Sequence, residues 1–153
     1  MDMYEFVQRR IFRQLSSLRR TGGSLAVEIG EAYYQLASYE GDQLLAELSS
    51  NQFLPHGSGL DGFAQQRLAL LGFAPPSEEW PNWNIRFEGR DSEDGERVSQ
   101  AMARALLDCM QCDPSELFNG LLREYIDSHP HAARDPEWAA VLCGETLRRM
   151  GGQ

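Results

Sequence analysis

A change of hydrophobic period at Thr21-Gly22-Gly23 constrains this chain more than any other feature. Before it, Met3, Val7, Ile11, Leu15 and Leu18 recur at helical spacing, with Phe6 and Phe12 widening the stripe, so residues 2–20 read as an amphipathic helix. After it the period is two. Leu25, Val27 and Ile29 alternate with Ala26 and Glu28, Gly30-Glu31 offers a tight turn, and Tyr34 and Leu36 fall opposite Tyr33 and Gln35. Glu40-Gly41-Asp42 turns the chain again into QLLAELS. Residues 24–49 are therefore predicted to form a three-strand antiparallel meander.

Downstream, Asp61 is placed to cap a short helix in which Phe63, Ala64, Leu68 and Leu71 share a face, and Gly72 to close it. WNIRFEG puts Trp83, Ile85 and Phe87 on one side and Asn84, Arg86 and Glu88 on the other, which predicts a further strand. From about Glu93 to Gln111, Val98, Ala101, Met102, Ala105, Leu106, Cys109 and Met110 trace a long helix. Asp113-Pro114-Ser115-Glu116 and Asp135-Pro136-Glu137 then start helices near 114 and 136. The first is expected to bury Leu117, Phe118, Leu121, Leu122, Tyr125 and Ile126, and the second carries Trp138. The expected fold class is α+β: an antiparallel sheet, the meander plus at least one more strand, packed against N-terminal and C-terminal helices. One domain spans 1–153, with 130–153 an additional C-terminal helix.

Charge narrows the partners. The formal net charge of −9 repels phosphate backbones, which argues against nucleic acid. The exception is residues 1–20, where five arginines face two acids; that face could meet anionic lipid, neutralise the acidic bulk or simply face water. No apolar run reaches membrane-spanning length and the N-terminus has no signal-peptide core, so no membrane insertion and a cytoplasmic setting are expected. Three cysteines are an odd number and too few for a disulfide framework. Cys109 and Cys112 have redox spacing, but they end a helix rather than open one, and read as packing thiols. His129-Pro130-His131 reads as a solvated turn rather than a metal site, and His56 likewise. No cofactor or metal is expected and no catalytic motif appears.

The order helix, meander, Ser50-Asn51-x-Phe53-Leu54-Pro55, a short helix ending Leu70-Leu71-Gly72-Phe73, then Pro76 and Pro81-Asn82-Trp83, resembles the TY-Chap N-terminal domain family, mainly actinobacterial proteins related to type III secretion chaperones. Ala105-Leu106 through Asp113-Pro114-Ser115-Glu116-Leu117 extends the resemblance, which covers about residues 3–125. Phe73 departs from the family's frequent tryptophan, and a basic residue common near Asp108 is missing. The resemblance implies a cytoplasmic, non-enzymatic scaffold, often a homodimer, that holds a client peptide.

The loop LGFAPPSEEWPNW must hide its aromatics or use them. The family pattern implies that this loop crosses from the short helix back to the sheet, with Phe73 and Trp83 plugging the core, while Trp80, between two acids and a proline, is the candidate for an exposed contact. Tyr33, Tyr34, Gln35 and Trp80 are the candidate residues for binding a client segment. A one-residue change of register swaps the faces of strand two, so both tyrosines stand at this stage. The alternative is an immunity or antitoxin-type inhibitor that meets a basic toxin through the acidic stretch 78–96; a CxxC thiol enzyme is a third reading.

Overall fold

The computed structural model describes residues 2–40, 42–50, 60–89 and 92–129. The expected helix near 136 with Trp138, the second histidine His131, Cys143 and the loop around Pro55 lie outside the described residues. Helix α1 (Met3–Thr21) starts on Asp2, whose Oδ1 accepts the Glu5 N–H at 2.8 Å. It ends where Gly22, at φ 73°, donates its N–H to the Leu18 carbonyl at 2.7 Å. Strands β1 (Ser24–Ile29), β2 (Ala32–Tyr39) and β3 (Gln43–Leu48) follow as the predicted meander. Strand β4 (Trp83–Glu88) joins β3, so the antiparallel sheet runs β1-β2-β3-β4 in chain order.

Register assigns every side chain of the sheet to a face. Val27 lies opposite Tyr34, Tyr34 opposite Leu48, and Leu48 opposite Trp83. That row and its alternates, Ile29, Leu36, Leu44, Ala46, Ile85 and Phe87, are all buried in one core with Val7, Ile11, Leu15 and Leu18 of α1. Helix α3 (Ser92–Arg104) adds Val98, Ala101 and Met102, and helix α4 (Pro114–Ser128) adds Leu117 and Leu121. The result is the predicted α+β architecture, with helices on one face of an open sheet.

Helix α2 (Gly62–Leu70) begins on Asp61, which accepts the Ala64 N–H at 2.8 Å. It closes with paired bonds, Gly72 N–H to the Ala69 carbonyl and Phe73 N–H to the Leu68 carbonyl, both 3.1 Å, with Gly72 at φ 105°. Leu68 is fully buried, and Ala64 and Leu71 are half-buried on its side. Phe63, expected on that face, is instead 70% exposed, because position 63 falls one residue off the 64-68-71 spacing that faces the core.

Three further expectations are corrected. The long helix does not run regularly to Gln111. Residues Ala105–Cys109 form a π turn in which Met110 N–H reaches the Ala105 carbonyl at 2.8 Å, and the wider turn keeps Ala105, Leu106 and Cys109 all inward. Ile126 of α4 is 42% exposed, whereas Leu117, Phe118, Leu121 and Tyr125 are buried. The arginines of α1 do not share one wet face either. Arg10 is buried, ion-paired with Glu124 at 3.5 Å and seated 4.5 Å above the Tyr125 ring, while Arg19 donates to the Gly89 carbonyl at 2.9 Å.

Candidate binding surface

The face of the sheet turned away from α1, α3 and α4 carries Ala26, Glu28, Tyr33, Gln35, Ala37, Tyr39, Gln43, Leu45, Glu47, Asn84, Arg86 and Glu88, by the same register. It is mostly polar, with Ala26, Ala37, Leu45 and the rings of the two tyrosines as its apolar parts. Phe73 and Trp83 are 3% and 5% exposed and anchor the two ends of the loop between α2 and β4 in the core. Between them the chain folds back over the open face. Ala74 bridges Asn84 with main-chain bonds in both directions, 2.8 and 3.2 Å. A turn closes from Ser77 N–H to the Trp80 carbonyl at 2.8 Å, and the Trp80 N–H returns to Ser77 Oγ at 3.1 Å.

That turn delivers the half-buried Trp80 indole against the Tyr39 ring, centroids 6.1 Å apart, with the Arg86 guanidinium 5.1 Å from the indole centroid. The contact is a cation on an aromatic face. Asn82 ties the next step of the loop down. Its Nδ2 donates to Tyr33 Oη at 3.0 Å and to Glu47 Oε2 at 3.2 Å, and its Oδ1 accepts the Ser50 N–H at 3.2 Å. Asn84 is 2% exposed; its Nδ2 donates to the Asn82 carbonyl at 3.1 Å, and its Oδ1 has no partner among the described residues. The buried Trp80 Nε1–H is equally without one. Beside this cluster lies a shallow groove of about 420 Å³ lined by Tyr39, Gln43, Gly72, Ala74, Asn84, Ile85 and Arg86.

The sheet's two edges differ. In an antiparallel ladder alternate residues turn both main-chain polar groups to one side. The Ala74 bridge shows that Asn84 faces away from β3, so Arg86 and Glu88 do too. On β1, by the bond from Ser38 N–H to the Gly23 carbonyl, the outward residues are Ser24, Ala26 and Glu28. There α4 packs so closely that a Cβ on Gly120 would collide with the Glu28 carbonyl.

Of the predicted site residues, Tyr33 and Gln35 share the open face, and Trp80 is brought onto it by the loop. Tyr34 is corrected. It is fully buried, its hydroxyl donates to Gln14 Oε1 at 2.7 Å, and burial raises its pKa so that the phenol stays protonated. Strand parity decides this, because Val27 and Leu48 flank Tyr34 on the core side. Tyr39, Asn82, Asn84 and Arg86 were not among the predicted site residues. Parity within WNIRFE already set Asn84 and Arg86 on the polar side, but nothing local reveals that Trp80 folds over them.

The other chemical candidates carry less. Burial raises the Cys109 pKa, and burial followed by Glu116 pushes Cys112 up to about 11, so both thiols are held in the unreactive form. His129 stacks on Tyr125 with centroids 4.1 Å apart, and no group of three metal-binding side chains occurs among the described residues. No described helix is long and apolar enough to cross a membrane. Among the described residues the acids of 78–96 are dispersed over the loop, the end of β4 and the first two turns of α3.

The site is thus a one-sided sheet with a partly open edge and a shallow groove that Tyr39 helps to line. The chain belongs to the TY-Chap3 family, described as T3SS (YopN, CesT) and YbjN peptide-binding chaperone 3, whose model matches residues 5–121. No curated protein and no solved structure matches the chain.

Proposed function

We propose that the protein is a non-enzymatic chaperone that holds an extended segment of a client protein as an added strand beside β4, with the client's side chains reaching onto the open face at Tyr33, Gln35 and Trp80. The observation that carries this reading is the outward main chain of Arg86 and Glu88 next to the groove, beyond the single Ala74 bridge. Main-chain pairing supplies affinity in strand addition, and alternate side chains supply specificity. Membership of a peptide-binding chaperone family supports the same reading. The free thiols Cys109 and Cys112 suit the cytoplasm, where we place the protein. A homodimer is part of the proposal on the family relationship; light scattering that returns only 17.3 kDa at high concentration removes it.

The test uses proline at the edge. Arg86→Pro removes an outward N–H without touching the ladder to β3, a position where strands accept proline. Linear peptides selected on the immobilised protein from a random display library are then titrated against wild type, Arg86→Pro and Arg86→Met. Binding lost in the proline variant and retained in part by methionine supports strand addition. Equal binding to all three, with circular dichroism unchanged, overturns it.

A further inference from the structure

Four residues of α1, Arg10, Arg13, Ser17 and Arg20, fall on one flank of the helix, beside its buried stripe. They form one wall of a groove of about 580 Å³ whose other walls are the start of β1, at Ser24 and Leu25, and the last turn of α4, at Glu124 and Tyr125. Glu124 is the one carboxylate among the described lining residues, and it is fully used. Its Oε2 accepts from Gln14 Nε2 at 2.8 Å and lies 3.5 Å from the Arg10 guanidinium, and its Oε1 accepts from Ser128 Oγ at 3.1 Å. The side chains of Arg13 and Arg20 are exposed, and neither has an ion pair or hydrogen bond among the described residues. These two open cations belong to a chain that is −9 overall, +3 over residues 1–20 and −12 over the rest.

We infer that this groove docks an acidic segment of a partner polypeptide, with carboxylates on Arg13 and Arg20 and its main chain against Ser24. The two arginines stand seven residues apart, roughly 10.5 Å along the helix, a distance that three residues of extended chain cover at about 3.3 Å each. Ser24 is exposed and turns its main-chain N–H away from β2, which offers a donor to a peptide carbonyl. Half-buried Leu25 gives an apolar side chain between the two acids a place to rest. A bilayer or a nucleic-acid duplex also carries negative charge, but either is wide enough to meet the acidic remainder of the surface along with the groove, and is repelled by it. A single acidic chain meets the groove alone. The groove lies at the β1 side of the sheet, so this contact is separate from a strand added beside β4.

The probe is a fluorescein-labelled, amidated peptide with Glu-Leu-Ser-Glu at the centre of a glycine-serine chain, and a counterpart with both glutamates changed to glutamine, each titrated by fluorescence anisotropy at low salt. The Glu peptide is expected to bind about fivefold tighter than the Gln peptide, the combined scale of two exposed ion pairs, and the advantage is expected to shrink as salt is raised. Arg13→Gln/Arg20→Gln, at exposed positions, is expected to bring the Glu-to-Gln ratio close to one. Arg97→Gln/Arg104→Gln makes the same charge change at the same spacing on exposed positions of α3 and is expected to leave the ratio standing. A Glu peptide bound no better than the Gln peptide, or a ratio that survives Arg13→Gln/Arg20→Gln, overturns the assignment. Equal loss in the two double variants makes the effect one of net charge and overturns the groove. Phosphatidylserine vesicles bound through Arg13 and Arg20 while both peptides bind alike would give the groove to a lipid surface instead. Tighter binding of the Glu peptide in Asp135→Asn/Glu137→Gln would give it to the chain's own segment past His129, and overturn the partner in the same way.

Discussion

The two faces of this sheet are made from alternate residues of the same four strands, yet they follow different rules. On the helix side, Tyr34, Leu36, Leu48 and Ile85 bury into a continuous core with α1, α3 and α4. The neighbouring residues Tyr33, Gln35, Glu47 and Asn84 belong to a face where a loop, not a helix, supplies the cover, through Asn82 and Trp80. The first face is built mainly from packed apolar volume, with the Tyr34–Gln14 hydrogen bond as a directed polar link to α1. The second is built from directed polar contacts with unpaired ends, which is the arrangement recognition needs. Stability should therefore respond to the first face and binding to the second.

The largest expected effect lies at adjacent positions. Tyr34→Ala removes a fully buried ring and leaves Gln14 without its donor, in a network that runs on to Glu124 and Arg10. A loss of about 3–5 kcal/mol is expected for such a truncation, whereas Tyr33→Ala should cost about 1 kcal/mol, the scale of one hydrogen bond. Urea unfolding of the pair reads the difference directly; similar losses at both positions would falsify the division between faces.

The next effect compares two main-chain directions on one strand. Ile85 turns its N–H toward β3 and Arg86 turns its own outward, by the parity the Ala74 bridge sets. Ile85→Pro should cost about 3 kcal/mol or more, and Arg86→Pro far less. Thermal melts that rank them the other way would show that the ladder register is misread at this edge.

The core face was legible in the sequence because period two and period 3.6 are written in side-chain hydrophobicity. Leu25, Val27, Ile29 and the α1 stripe predict their own burial. Caps at Asp61 and Asp113 and the closing Gly72 were readable for the same local reason. What stayed hidden depends on position in space. Which of Tyr33 and Tyr34 faces inward turns on cross-strand register, and the same alternating pattern serves either choice. The pairing of Trp80 with Tyr39 and Arg86 joins segments that no periodicity links. The π turn at Ala105–Cys109 was missed because it keeps the same apolar residues inward that a regular helix would. Phe63 was misplaced because an aromatic beside an apolar stripe looks like part of it, although here it sits 6.0 Å from Arg67 at the surface.

The closed edge of the sheet gives the third effect. At β1, α4 reaches the strand because residue 120 has no side chain. Gly120→Ala drives a methyl into the Glu28 carbonyl and against Val27, and overpacking of this kind is expected to cost about 1–3 kcal/mol. A lower Tm together with faster hydrogen exchange at Glu28 is the expected result. An unchanged Tm would mean that α4 can shift, and that the two edges are less different than their packing indicates.

The smallest effect on stability is the sharpest probe of the open face. Gln35 sits half-buried in the middle of that face, between Ala26 and Glu47 across the strands. Gln35→Ala should leave stability within about 0.5 kcal/mol of wild type, as substitutions away from the core do. If client side chains cross the face as proposed, the same change should weaken peptide binding by a few-fold, since one hydrogen-bonding contact is worth about 1 kcal/mol. Binding is measured on peptides already shown to need the Arg86 edge, so the loss reports the face and not the edge. Full affinity in Gln35→Ala would confine recognition to the β4 margin, at Trp80 and Arg86, and reduce the centre of the sheet to a passive support.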